Sequence, residues 1–110
     1  MNTFTTSQQR AVSFIRKNGM EIIDRNICGH IDIVTWDCKT DEIVFIEVIE
    51  RKTTPKTRRR NRKIAYHQRK AIRNWLRVNK WHSGHRFDVI EVYGTNKPVI
   101  NHIQNVNLEK

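Results

Sequence analysis

The chain has 110 residues, 37% of them hydrophobic, which is enough for one modest core and is read as a single domain over residues 1–110. No apolar run approaches the roughly 20 residues that cross a bilayer, and Met1–Thr6 lacks the basic-then-apolar order of a signal peptide. With two isolated cysteines, Cys28 and Cys38, and a net charge of +10, the composition points to a reduced, cytoplasmic protein with a polyanionic partner and no membrane role.

Thr6 or Ser7 is expected to cap a first helix that runs to about Asn18, with Ala11, Phe14 and Ile15 at helical spacing and Gly19 as its stop. Met20–Asp24 reads as a short strand and Arg25–Gly29 as a connection. Ile31–Trp36 and Ile43–Ile49 are β-branched and aromatic, and Asp37–Asp41 between them has the composition of a hairpin turn. Arg51–Arg60 is a basic, proline-containing loop. A second helix is expected from about Asn61 to Lys80, with Ile64, Ala71, Ile72, Trp75 and Leu76 on its apolar side. Gly84 lies in the break that follows. Arg86–Tyr93 and Val99–Ile103 complete an α-β-β-β-α-β-β order, so the fold class is α/β in the mixed α+β sense, a small mixed sheet flanked by helices.

The charge is concentrated. Arg51–Lys80 holds 13 Lys/Arg and no Asp or Glu, whereas the remainder carries a net −3. Thirty residues without a compensating carboxylate form an electrostatic footprint for nucleic acid, and Arg58, Arg59, Arg60, Arg62 and Lys63 are its densest part. A solvated helix face is the alternative, and it explains a few scattered lysines better than this run. The segment also lacks the broad Trp/Phe/Leu face of a membrane-surface helix.

If the hairpin closes through a four-residue loop, Cys38–Asp41, then Asp37 faces Glu42 and Asp32 falls opposite Glu47. Alternation then puts Asp32, Val34 and Trp36 on one face with Ile43, Phe45, Glu47 and Ile49. Opposed carboxylates repel, and apolar neighbours raise the cost. A divalent cation would relieve both penalties. Two other resolutions are open: a register slip of one residue, or neutralisation by Arg51 from the same face.

Several stretches together resemble a known family. Gly19–Asn26, Gly29-His30-Ile31-Asp32-Ile33-Val34, Val44-Phe45-Ile46-Glu47-Val48 and Arg86-Phe87-Asp88-Val89-Ile90 look like the YraN family, endonuclease-like proteins of the restriction-endonuclease-like, PD-(D/E)xK superfamily. The resemblance covers nearly the whole chain and implies an α-β-β-β-α-β core. It makes Asp32 and Glu47 the metal-binding acids for Mg²⁺ or Mn²⁺, and places His67, Gln68 and Lys70 beside the cleft.

Three positions depart from the family pattern. Gln8 stands where a helix glutamate is usual, His30 replaces the glutamate of Gly-Glu-Ile-Asp, and Ile49 replaces the lysine of Glu-Val-Lys. Phosphodiester cleavage needs a positioned water and charge stabilisation on the phosphoryl oxygens, and an isoleucine supplies neither. Arg51 can stabilise charge but cannot act as a base. His30 or His67 can titrate near neutral pH. Lys52 should project to the opposite face.

The expectation is therefore a nucleic-acid-binding protein, with DNA, duplex or branched, ahead of RNA. Asp32, Glu47, His30 and Arg51 are the candidate catalytic residues, and Gln68, Arg69, Lys70 and Arg73 join the Arg58–Lys63 cluster as nucleic-acid contacts. The alternative is a pseudo-nuclease that binds without cutting, and a third reading is a basic adaptor for an acidic protein surface. Acting on both strands would favour a two-fold homodimer. Cys28-x-His30 with Cys38 fits no standard zinc spacing, so these cysteines read as ordinary thiols. Trp36, Trp75 and Trp81 read as core or rim, with base stacking left open for Trp81.

Overall fold

A computed structural model describes residues 5–51, 65–94 and 99–106. The elements are α1 (Thr6–Lys17), β1 (Met20–Ile27), β2 (Ile31–Asp37), β3 (Glu42–Arg51), α2 (Tyr66–Val78), β4 (His85–Tyr93) and β5 (Val99–Ile103). The strands lie in the order β1-β2-β3-β4-β5 within one mixed sheet. Only β3 and β4 pair in parallel, joined by the crossover that contains α2. This is the expected order and class. Among the described residues, no helix is long and apolar enough to cross a membrane.

Two apolar clusters cover the two faces of the sheet. On one face, Val34, Ile43, Phe45, Phe87 and Val89 pack with Ala71, Ile72 and Trp75 of α2. On the other, Ile33, Val44, Ile46, Ile90 and Val92 pack with Ala11, Val12 and Ile15 of α1. Strands β3 and β4 contribute to both, so they read as almost unbroken apolar runs. That pattern belongs to strands covered on both sides.

Helix α1 starts one residue earlier than the sequence predicts. Thr5 is the N-cap: its hydroxyl accepts the Gln8 N–H at 3.1 Å, while Gln8 Oε1 accepts the Thr5 N–H at 3.0 Å. This reciprocal capping box satisfies two otherwise orphaned donors. Gly19, at φ +82°, ends the helix as expected. Helix α2 is shorter than its periodicity suggests. Ala65 is extended at φ −71°, ψ 156° and forms its N-cap, and Lys80 at φ +52° follows its C-cap, Asn79. Residues 61–64 of the expected helix lie outside the described residues.

The largest correction concerns β1. The expected connection at Arg25–Gly29 is mostly strand, and the turn tightens onto Cys28 and Gly29, both at positive φ, with His30 N–H donated to the Ile27 carbonyl at 2.9 Å. Successive positive φ values are the mark of turns that follow the strand twist. A bulge also interrupts β1: Ile22 pairs with Thr35 but Asp24 pairs with Val34, so Ile23 is the extra residue. Ile22 packs on the α1 side, whereas Asp24 accepts the Trp75 indole N–H from α2 at 2.8 Å. The bulge has moved Asp24 to the other face.

Candidate metal and nucleic-acid site

The four-residue hairpin loop is present, and with it the expected register: Asp37↔Glu42, Trp36↔Ile43, and onward to Ile33↔Ile46. The ladder stops there, one pair short of Asp32 and Glu47. Instead of a backbone acceptor, the Val48 N–H finds Asp32 Oδ2 at 2.8 Å. Simple alternation also fails here. Ile31 and Ile33 pack into opposite clusters, so the chain turns over at Asp32 and the side chain lies at the edge of the ladder.

Asp32 and Glu47 are each half-buried and close enough to interact electrostatically. Burial pushes the Asp32 carboxyl above the usual carboxylate range, and the neighbouring Glu47 charge adds to the rise. The Val48 N–H and the Gln8 side chain act against it. Since Gln8 Oε1 is held by Thr5, the Gln8 amide reaches Asp32 as a donor. The capping box of α1 thus fixes a neutral amide beside Asp32, at the position where the resemblance implies a glutamate. Among the described residues, no group of three or more His, Cys, Asp or Glu is arranged to hold a metal ion.

The pair still fits one kind of cation. Mg²⁺ binds proteins through one or two carboxylates and takes its other oxygens from water and phosphate. Two adjacent carboxylates, one with its acidity suppressed by burial and, less, by the other's charge, match that donor set. They do not make a cage for Zn²⁺ or Ca²⁺.

The positions around the pair fall into distinct environments. Ile49, partly buried, packs against the α2-side core, so the position where the resemblance implies a lysine presents hydrocarbon. Arg51 is directed to Glu91, with Nε 3.2 Å from Oε2. Glu91 also accepts from Tyr93 at 2.8 Å and from Asn101 at 2.9 Å. Arg51 therefore ends in a polar network along the β4–β5 edge. His30 is exposed, and its ring stacks on His67 of α2 with centroids 5.2 Å apart and an interplanar angle of 13°. Gln68 is buried; its Nε2 donates to the His30 carbonyl at 3.2 Å and its Oε1 accepts the Ala65 N–H at 3.1 Å. Its amide is spent on anchoring α2 to the turn that precedes Asp32.

Arg69 is half-buried, while Lys70 and Arg73 are exposed on α2. Arg58, Arg59, Arg60, Arg62 and Lys63 lie outside the described residues, as does Lys52.

Two features went unassigned at the level of sequence. Arg86, buried in β4, contacts Asp37 at 3.3 Å, Glu42 at 2.8 Å and Asp88 at 3.1 Å. Asp88 is fully buried and also accepts from His102 at 2.7 Å and from the Asn105 N–H at 2.9 Å. Arg86-Phe87-Asp88 is thus an internal ionic joint; its signal was a charged pair inside an apolar strand. The second feature is a cavity of about 570 Å³ beside α2, where Trp36, Trp75 and Trp81 meet with Asp24 and Asp41. These residues are scattered over three sequence regions, and only the fold assembles them.

Comparison with known proteins agrees with the family resemblance. Residues 8–92 match the family model described as "Uncharacterised protein family UPF0102". A "UPF0102 protein" from Caldicellulosiruptor saccharolyticus is 32% identical over 120 residues, covering 96% of this chain and 91% of that protein.

Proposed function

The chain belongs to the UPF0102 family, and from that premise we propose a nucleic-acid-binding protein of endonuclease-like fold in which Asp32 and Glu47 hold a divalent cation. The observation that supports this most is the electrostatic coupling of these two acids where the β2–β3 ladder ends, two residues after the His30 carbonyl to which Gln68 anchors α2, the helix that exposes Lys70 and Arg73. A cation here would meet phosphate oxygens delivered by the basic surface. When bound, Mg²⁺ or Mn²⁺ would supply Lewis-acid polarisation of a phosphodiester and a more acidic water. The chain's own contributions are separate. Gln8 orients the Asp32 carboxylate, Gln68 holds the His30 turn against α2, and the His30 and His67 rings stack across the same junction.

A second reading, binding without cleavage, is favoured by Ile49 and Arg51. One is an apolar side chain packed, partly buried, against the core, and the other is paired with Glu91. Neither stands ready to stabilise charge on a phosphoryl group.

Nicking of supercoiled and branched DNA with Mg²⁺ or Mn²⁺ decides between the two. Cleavage by the wild type that Asp32→Ala abolishes establishes the enzyme. No cleavage by the wild type, with cleavage gained on Ile49→Lys and lost again on adding Asp32→Ala, establishes the pseudo-nuclease. Wild-type cleavage untouched by Asp32→Ala sinks the site assignment.

A further inference from the structure

We propose that the tryptophan-lined cavity is a binding site for an organic cation, specifically a methylated ammonium group. The cavity of about 570 Å³ is of ligand size. It lies at the hairpin end of the α2 face, four residues along β2 from Asp32, so roughly 13 Å separates the two sites at strand rise. Ile43 is part of its wall, and the bulge at Ile23 turns Asp24 into it.

The chemistry of the lining selects the ligand. In a chain with 21 Lys/Arg, no described lining residue is basic, and two are aspartates. The cavity is therefore not a continuation of the phosphate-binding surface. All three indole N–H groups are already donated: Trp36 to Asp41 at 3.2 Å, Trp75 to Asp24 at 2.8 Å, and Trp81 to the Gly84 carbonyl at 2.9 Å. The Asn79 amide is likewise given to the Trp75 carbonyl at 2.9 Å. Apart from the second Asn79 amide hydrogen, the described lining side chains have no donor left for an anion or a carbonyl. What a ligand meets is chiefly apolar surface, much of it aromatic, and negative charge.

Those two features reinforce one another. A carboxylate that accepts an indole N–H pushes electron density into the ring, which makes the ring face more attractive to a cation. Two of the three rings are polarised in this way. Both Asp24 oxygens are engaged, Oδ2 by Trp75 and Oδ1 by the Arg25 N–H at 2.8 Å, so Asp24 offers charge rather than a free acceptor. A methylated ammonium suits such a wall because it carries charge without needing hydrogen-bond acceptors.

The chain's three tryptophans all line this cavity, so its intrinsic fluorescence reports on the site directly. The full chain is titrated with choline, with Nα-acetyl-trimethyllysine amide, and with the neutral isostere 3,3-dimethylbutanol, at constant ionic strength. A saturable change is expected for the cations, with the isostere at least about tenfold weaker. Asp24→Asn with Asp41→Asn keeps a carbonyl acceptor for each indole while removing both charges. It should weaken cation binding about tenfold while leaving binding of the neutral isostere unchanged, the exposed Arg25 N–H contact to Asp24 Oδ1 being the one hydrogen bond given up. Tighter binding of choline assigns a free small molecule, and tighter binding of the trimethyllysine amide assigns a modified protein side chain. The proposal is overturned if the isostere matches the cations, if neither cation saturates, if the double variant binds as tightly as wild type, or if a nucleoside competes on equal terms with choline.

Discussion

Asp32 and Asp88 are both drawn out of water by the same sheet, yet their acidities move in opposite directions. For Asp32, burial raises the pKa and Glu47 adds to it, while the Val48 N–H and Gln8 only partly offset them. For Asp88, burial alone would also raise it, but hydrogen bonds from His102, Arg86 and the Asn105 N–H, with the Arg86 charge, turn the balance downward. The linkage signs follow. Asp88 stabilises the fold at neutral pH, and that contribution is lost as pH falls below the ordinary carboxylate range. Asp32 favours the fold in its protonated form, and that contribution is lost as pH rises. Asp32→Asn should therefore raise stability at pH 7 by less than about 1 kcal/mol, the half-exposed setting limiting the gain, with the difference vanishing toward about pH 4. Urea midpoints measured across that range test it. A variant less stable than wild type at pH 7 would show that the carboxylate is relieved in some other way. Saturating Mg²⁺ should stabilise only the wild type, because a ligand stabilises only the state that binds it.

Between elements, Arg86 joins three strands through its ion pairs. Its guanidinium ties the end of β2 and the start of β3 to β4, through Asp37, Glu42 and its own-strand partner Asp88. Arg86→Ala would leave Asp88 buried without its main counter-charge, at a cost of about 3–5 kcal/mol by denaturant unfolding. A loss under about 1 kcal/mol would mean that His102 and the Asn105 N–H satisfy Asp88 without it. Periodicity made the order of elements legible, because strands buried on both faces and a helix ending in glycine leave plain marks. The hairpin register was legible for the same reason: a four-residue turn fixes the pairs behind it, here as far as Ile33↔Ile46. The bulge at Ile23 was not, because nothing local to Met20–Ile27 reveals that Trp75, about fifty residues later, will call for Asp24 on its own face. The roles of Gln8 and Gln68 were hidden for a related reason: each works through a contact that exists only after the helices dock.

At the scale of the molecule, the governing quantity is the separation of +13 in Arg51–Lys80 from −3 elsewhere. If this segment meets phosphates, the logarithm of affinity for duplex DNA should fall against the logarithm of salt with a slope near −0.9 per phosphate contact. Lys70→Glu with Arg73→Glu, two exposed positions on α2, should flatten that slope by about two contacts and weaken binding at least about tenfold at low salt. Fluorescence anisotropy at several salt concentrations measures both. An unchanged slope would remove α2 from the interface.

The one parallel pairing in the sheet has a consequence for how the chain reaches its fold. Strands β1, β2 and β3 are joined by short turns and can assemble from neighbouring contacts, whereas β4 can dock only after residues 52–84 have been drawn across. That crossover contains nearly all of the cationic stretch, so closing it compresses mutually repelling charges before the β3–β4 contacts can compensate. Counterions ease that compression, and so would a polyanion already held by the growing chain. Refolding should accordingly quicken as ionic strength rises: the segment that draws in the partner also sets the pace at which the fold is completed.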